Sequence, residues 1–406
     1  MFGIIIGLIS GTLLGIFSGL VPGIHSNTIA GLAAALSIPL VSFLGVDGVC
    51  ALIVSSMIVH TFLDNIPSTI FGVPDADTVL SVLPAHRLYL SGFGERAIRI
   101  SALGSLWGFI FCLPLFALFM IFLSGLQNYL DWGIGLVILT AACLLIFFSK
   151  SPAWASAVFI TSGALGVYAM NYSYLSFGFF GIGEILLPLL TGLFAVPLLM
   201  SSIKKSPKIK TQKSSPLNLS NSQIYSNGVK GAVAGAIVGW LPGFSSSTAN
   251  ALLAVRRSGN FEKREPENYL ISTSAANTAN AVLGIAALYA VGRMRSGSMA
   301  AMAEFELPSV YLMLLVSALA VLLGYFAVLF ASRGCDFFTK LNQRALSIIV
   351  FIFLLALTVI FCGGFGLIIL ILASLIGLVP ALVDIPRIFC MGSVMFPVML
   401  FTLGLI

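Results

Sequence analysis

Charged side chains are scarce: Asp, Glu, Lys and Arg make up 8% of the 406 residues, against roughly a quarter in soluble domains. That scarcity excludes a soluble enzyme, and no stretch between the apolar runs could hold a soluble domain of useful size. Histidine is rarer still, at three copies, and no motif spaces it with cysteine or carboxylate as a metal centre requires. The six cysteines (Cys50, Cys112, Cys143, Cys335, Cys362, Cys390) are scattered, mostly within apolar runs, with no CxxC pair. They read as small buried hydrophobes rather than a redox or disulfide framework. No phosphate loop or nucleophile triad is present, so the sequence predicts no enzyme and no cofactor. Acids are absent from Ser201 to Lys230, where six lysines lie (Lys204, Lys205, Lys208, Lys210, Lys213, Lys230). Outside that segment 14 basic residues balance 14 acidic ones, so the net charge of +6 belongs to one loop and not to a nucleic-acid surface.

What the chain has in abundance is apolar length. It is 59% hydrophobic with a mean hydropathy of +1.09. Uncharged runs such as Ile100–Leu130, Ser151–Gly183, Leu307–Ser332 and Ala345–Val383 each reach the roughly 20 residues of a membrane span. Together the runs predict about ten to thirteen spanning or re-entrant segments. The first run carries no basic flank and continues into a polar break, so it is expected to be a retained helix rather than a cleaved signal. The lysine-rich loop is the only Ser/Pro/Asn/Lys-rich stretch and divides the chain nearly in half. Short lysine-rich loops stay on the cytoplasmic side. The expected organisation is therefore a first transmembrane repeat over 1–202, a cytoplasmic linker over 203–227 and a second repeat over 228–406, in the cytoplasmic membrane. Contact of the linker with anionic lipid heads is a further expectation.

The two halves share a phrase. Gly15-Ile-Phe-Ser-Gly-Leu-Val-Pro-Gly-Ile-His-Ser-Asn-Thr28 reappears as Gly235-Ala-Ile-Val-Gly-Trp-Leu-Pro-Gly-Phe-Ser-Ser-Ser-Thr248, at a constant offset of 220. Glycines precede each copy every four residues (Gly3, Gly7, Gly11, Gly15, Gly19 in the first), a spacing that lets another helix approach closely in lipid. Proline lacks an N–H and glycine accepts unusual backbone angles, so Pro22-Gly23 and Pro242-Gly243 break their helices. The helix after each break presents free N–H groups and a positive dipole end, beside Ser26, Asn27 and Thr28 or Ser245, Ser246, Ser247 and Thr248. That combination suits a carboxylate or phosphate without a buried formal charge. The plainer alternative is a pair of proline kinks whose hydroxyls bond back into their own helices. The fold class expected is an all-α polytopic membrane protein of two structural repeats with re-entrant or broken helices. Those repeats are inverted if the first half crosses an odd number of times.

Two further segments carry chemistry. His60-Thr-Phe-Leu-Asp64-Asn65-Ile-Pro-Ser68-Thr69 places a carboxylate at a membrane segment, where such groups mark ion or proton paths. Oxygens of Asp64, Asn65, Ser68 and Thr69 are hard ligands of the sort Na⁺ takes, whereas Asp64 with His60 at i, i+4 suits a proton relay. Asp75 and Asp77 follow in what reads as a solvated loop. In the second half, Thr273 and Ser274 share a helix face with Asn277 and Asn280, which serve either a ligand or interhelical hydrogen bonds. Arg293 and Arg295 serve either as an anion clamp or as anchors at a helix end. The first half, with the acids, is expected to hold the cation, and the second the anion.

These motifs resemble those of the TctA family, the permease subunit of tripartite tricarboxylate transporters, of which this would be a divergent member. The likeness lies in the two Gly-x-x-x-Gly-x-x-Pro-Gly breaks and in Asn65-Ile-Pro67, Gly72-Val-Pro74, Arg87-Leu-Tyr89, Gly92, Gly94 and Arg96-Ala97 in order. Ala275-Ala-Asn277-Thr-Ala-Asn280 is similar to the family's Ala-Ala-Asn-Asn stretch. The chain departs from the pattern at His25, at the His60–Asp64 pair and at Gly292–Ser298, which has two arginines and no proline. The resemblance implies a secondary transporter driven by Na⁺ or H⁺ that moves a di- or tricarboxylate by motion of one domain against another. It also implies a small membrane subunit and an extracytoplasmic binding protein as partners, with self-association into a homodimer also expected. A translocase of a lipid-linked phosphate, such as a polyprenyl phosphate, is the alternative that the same paired helix ends would serve.

Overall fold

The structure, a computed structural model, describes residues 1–21, 24–72, 82–179, 181–182, 185–205, 210–213, 215–217, 219–240, 266–294, 296–339 and 342–405. It is an all-α polytopic membrane protein. Among the described residues seven helices are long and apolar enough to cross a membrane, and three shorter apolar helices accompany them. The span estimate from the sequence is higher because it counts those half-length helices and the segments outside the described residues.

In chain order the helices begin with α1 (Phe2–Leu20), α2 (Ser26–Ala35), α3 (Ser37–Leu63), α4 (Asn65–Phe71), α5 (Val82–Leu90), α6 (Gly94–Phe147) and α7 (Pro152–Asn171). A hairpin of β1 (Phe177–Gly178) and β2 (Gly181–Ile182) follows, then α8 (Leu186–Leu190), a π turn (Thr191–Ala195) and α9 (Val196–Lys205). The second half holds α10 (Asn221–Trp240), α11 (Pro266–Val291), α12 (Gly297–Ala303), α13 (Val310–Ser332), α14 (Cys335–Thr339), α15 (Gln343–Leu382) and α16 (Gly392–Thr402).

Local chemistry explains several boundaries. Pro152 opens α7 at its first turn, where the missing N–H costs nothing. Asn342 caps α15 by accepting from the Arg344 and Ala345 amides. One continuous helix from Ile24 to Leu44 is the sequence expectation; instead the chain turns at Leu36, and α3 runs on to Leu63 through a bend at Gly45, whose φ is 70°. Pro39 explains the new start, since proline is tolerated in a first turn but not in a helix interior. Gly363 (φ 61°) interrupts α15 in the same way, and the β hairpin docks there through Phe179 N–H to the Ile360 carbonyl at 2.7 Å.

The glycine stripes set the packing. On α1, Gly11 lies against Leu52 and Ser55 of α3, Gly15 against Ser56 and Val59, and Gly19 against His60 and Leu63. On α10, Gly231 lies against Ser272 and Ala275 of α11, Gly235 against Ala276 and Ala279, and Gly239 against Leu283. Each residue of the second set is the first shifted by 220, so the two helix pairs dock in the same register. Helix α11 then packs along α6, and α13 along α3. Elsewhere α7 of the first half packs on α16 of the second, and α9 on α15. One apolar core gathers around α3 and α13 and another around α7, α15 and α16.

The lysine-rich linker is anchored. Lys213 N–H reaches the Gly92 carbonyl (2.8 Å), and Gln212 accepts from Gly94 N–H (2.8 Å) while donating to the Tyr89 carbonyl (3.0 Å). Arg96 donates to the Leu217 carbonyl (3.0 Å) and pairs with Glu267 (2.8 Å). The linker thus strings the α5–α6 turn to the start of α11.

Candidate functional site

A small cavity of about 50 Å³ lies between α3, α2 and α11. From α3 and its C-cap it is lined by Met57, His60, Thr61 and Asp64, and from α11 by Asn277, Asn280, Ala281 and Gly284. These are again the same four positions at an offset of 220, and i, i+3, i+4, i+7 is one helix face in each case. His25, Ser26, Asn27 and Ser296 complete the wall.

Asp64 is its chemical centre. The residue is 4% exposed, and a buried carboxylate persists as an anion only if its oxygens are paired. Asn65 Nδ2 donates to Oδ1 at 2.9 Å, and Asn277 Nδ2 donates to Oδ2 at 2.8 Å. One amide comes from each half of the chain, so the carboxylate ties α3–α4 to α11. A second tie joins Thr61 and Thr278 hydroxyls at 3.0 Å; Thr61 gives its proton to the Ile58 carbonyl (2.8 Å), so Thr278 is the donor. Asn280 is 9% exposed, and its side-chain oxygen has no hydrogen-bond partner among the described residues. Carboxylate, amide oxygen and hydroxyls make a wall that favours a cation, a proton or water over an anion.

Two imidazoles roof the cavity. His25 and His60 rings lie 4.8 Å apart at 54°. His60 Nδ1 meets Ser18 Oγ at 3.0 Å. His25 is the N-cap of α2, its Nδ1 accepting from Asn27 N–H at 3.2 Å, with Ser26 Oγ at 3.3 Å. Asn27 Oδ1 in turn accepts from Ser298 N–H at 3.2 Å, joining α2 to α12.

The expected site residues therefore converge in part. His60, Asp64, Ser26, Asn27, Asn277 and Asn280 line one cavity, and Asn65 serves it through Asp64. The separate cation and anion halves expected from the sequence meet there. Ser68 and Thr69 do not line it: their hydroxyls return to the Asp64 and Asn65 carbonyls one turn back. Arg293 lies beyond the end of α11 and is not part of the wall, although Ser296 of the same segment is. Pro22, Gly23, Asp75, Asp77, Pro242, Gly243, Ser245, Ser246, Ser247, Thr248, Arg295 and the side chain of Thr28 lie outside the described residues. Sequence reasoning missed His25, Met57, Thr61 and Ser18; the 220-residue offset carried past the Pro-Gly phrase would have reached Met57 and Thr61.

The model of the tripartite tricarboxylate transporter TctA family matches residues 5–392. The chain belongs to this family. As a TctA-family protein with several apolar helices of spanning length, it is a multi-pass membrane protein of a transporter family. It is 29% identical over 276 residues to an uncharacterised protein of Methanocaldococcus jannaschii, a match that takes in 65% of this TctA-family chain and 64% of that relative. No solved structure matches it.

Proposed function

We propose that the chain is a secondary active transporter that moves a small organic anion, such as a di- or tricarboxylate, across the cytoplasmic membrane, driven by Na⁺ or H⁺ at the Asp64 cavity. The observation that carries this reading is a buried carboxylate held by amides from both halves of the chain. Intramembrane carboxylates at such junctions belong to ion and proton paths. The matched register of α1–α3 and α10–α11 supports two structural repeats meeting across the cavity, as in carriers built from broken helices. Substrate is held at the paired broken-helix ends, of which the α2 start opens on the cavity wall. At about 50 Å³ the cavity is far below the 300 Å³ or more of organic-ligand pockets. It therefore has room for an ion or water, and the anion enters once the walls part. The linker lies on the cytoplasmic side, and a small membrane subunit and an extracytoplasmic binding protein complete the system.

Uptake of labelled citrate and smaller carboxylates into proteoliposomes under an imposed Na⁺ or pH gradient tests the reading. Gradient-dependent accumulation of one of these acids is the expected result. No uptake of any soluble anion, with retained binding of a lipid phosphate, would turn the assignment to the lipid-linked alternative.

A further inference from the structure

The hydrogen bonds of the two cavity imidazoles differ in a way that assigns them different tasks. His60 Nδ1 faces the Ser18 hydroxyl, which can donate or accept; Ser18 also lies 3.3 Å from the Gly15 carbonyl. When Nδ1 lacks a proton, Ser18 donates to it. When Nδ1 carries one, Ser18 accepts it and turns its own hydrogen to Gly15. His60 can thus change protonation without losing its partner.

His25 cannot. Its Nδ1 accepts from the Asn27 backbone N–H at 3.2 Å, and an amide N–H only donates. Neutral His25 therefore carries its hydrogen on Nε2. A second proton must go to Nδ1, where it collides with the Asn27 N–H and expels the Ser26 hydroxyl as a donor. The cap of α2 is then lost. Asn27 is also the residue whose Oδ1 holds Ser298 N–H at 3.2 Å, so uncapping loosens the tie between α2 and α12.

We propose that the coupling ion is a proton taken by the His25–His60 pair, and that His25 is its latch: neutral, it caps α2 and keeps the cavity shut; protonated, it releases α2 from α12. The proposal deepens the transporter reading and rests on it. Two of the polar groups lining the cavity are imidazoles, which are poor ligands for Na⁺, a hard cation that takes oxygen. The rings touch, so two protons on the pair would set like charges in contact and the pair carries one: on His60 it leaves α2 capped, and passed to His25 it opens the latch. Among the described residues the ionisable groups facing His25 are His60 and Asp64 from α3 and its cap; α1, α2 and α12 carry no ionisable side chain, and the α11 wall has none.

The test uses the full chain, ¹⁵N-labelled at histidine, in lipid nanodiscs without substrate. Three histidines give three resolvable imidazoles. At pH 8 the His25 Nδ1 signal should be that of an unprotonated ring nitrogen. Protonation of His25 on lowering the pH should raise hydrogen exchange of the Ser26–Ala30 amides by roughly fivefold over the intrinsic rate, the factor expected for one lost cap. His25→Asn keeps a capping side chain that does not titrate, and its exchange should stay level with pH. A protonated Nδ1 at pH 8, a pH-independent α2 in the wild type, or an unchanged pH response in His25→Asn would each overturn the latch. If replacing choline with Na⁺ at pH 8 opens α2 instead, the coupling ion is Na⁺; the latch fails while the transporter reading stands. A working latch in a protein that accumulates no carboxylate under a pH gradient would sink the transporter reading alone.

Discussion

A single side chain, Asn277, shows how much rests on individual contacts. Its amide supplies the donor for one oxygen of a carboxylate that is 4% exposed. Hydrogen bonds to charged groups contribute about 1.5–3 kcal/mol, so Asn277→Ala should lower stability by about that much. Thermal melting in detergent reads it, and a loss under about 0.5 kcal/mol would mean that Asp64 is not held as described. His86, which lies outside the spans, makes a second residue-scale case. Burial pushes its pKa below the usual histidine range and outweighs the Nδ1–H donation to the Thr69 carbonyl at 2.9 Å, which acts the other way. A depressed pKa means that the unfolded chain takes up the proton first as pH falls. The contribution of His86 is therefore present above about pH 6.5 and is lost as pH drops below it. Melting temperature should fall more steeply below that pH in the wild type than in His86→Gln; parallel profiles would contradict the buried neutral ring.

Among elements, the glycine stripes do the organising. A Cβ on Gly235 would lie 2.7 Å from the Ala276 carbonyl oxygen, and one on Gly15 would lie 2.7 Å from that of Ser56. Backbone gives way reluctantly, so Gly15→Leu and Gly235→Leu should each cost about 1–3 kcal/mol or more. Among the described residues no atom lies near the would-be Cβ of Gly31 in α2, and Gly31→Ala should be neutral or stabilising by up to about 1 kcal/mol. Melting temperatures of the three variants check this, and a harmless Gly235→Leu would undo the α10–α11 packing. The stripes were legible in the sequence because their spacing of four is a helix property. The turn at Leu36 was not, since no glycine or proline marks it and Pro39 takes effect only through the helix that starts before it. The Asp64–Asn277 and Thr61–Thr278 bonds were also hidden. Periodicity gives the face each residue occupies, but not which helix from the other half will meet that face.

Over the whole molecule, the halves seen in the sequence are not two separate bodies in space. Helices α7 and α9 pack on α16 and α15, while α13 packs on α3, and the linker is bonded to the α5–α6 turn. Against that interleaved frame, the cavity is where the same four positions of two like-packed helix pairs face each other. Their chemistry differs: Met57, His60, Thr61 and Asp64 stand opposite Asn277, Asn280, Ala281 and Gly284. One side brings the ionisable groups and the other brings amides and small residues, so a single carboxylate is held between the two halves. Asp64→Asn removes that carboxylate at nearly unchanged size, and it gives up one of the two acceptors that Asn65 and Asn277 use. The decisive measurement is gradient-driven uptake of labelled citrate or a smaller carboxylate into proteoliposomes holding the wild type or Asp64→Asn. Accumulation above the equilibrium level in the wild type, with only gradient-independent equilibration in the variant, is the predicted result. Undiminished gradient-driven accumulation in Asp64→Asn would contradict a coupling role for Asp64.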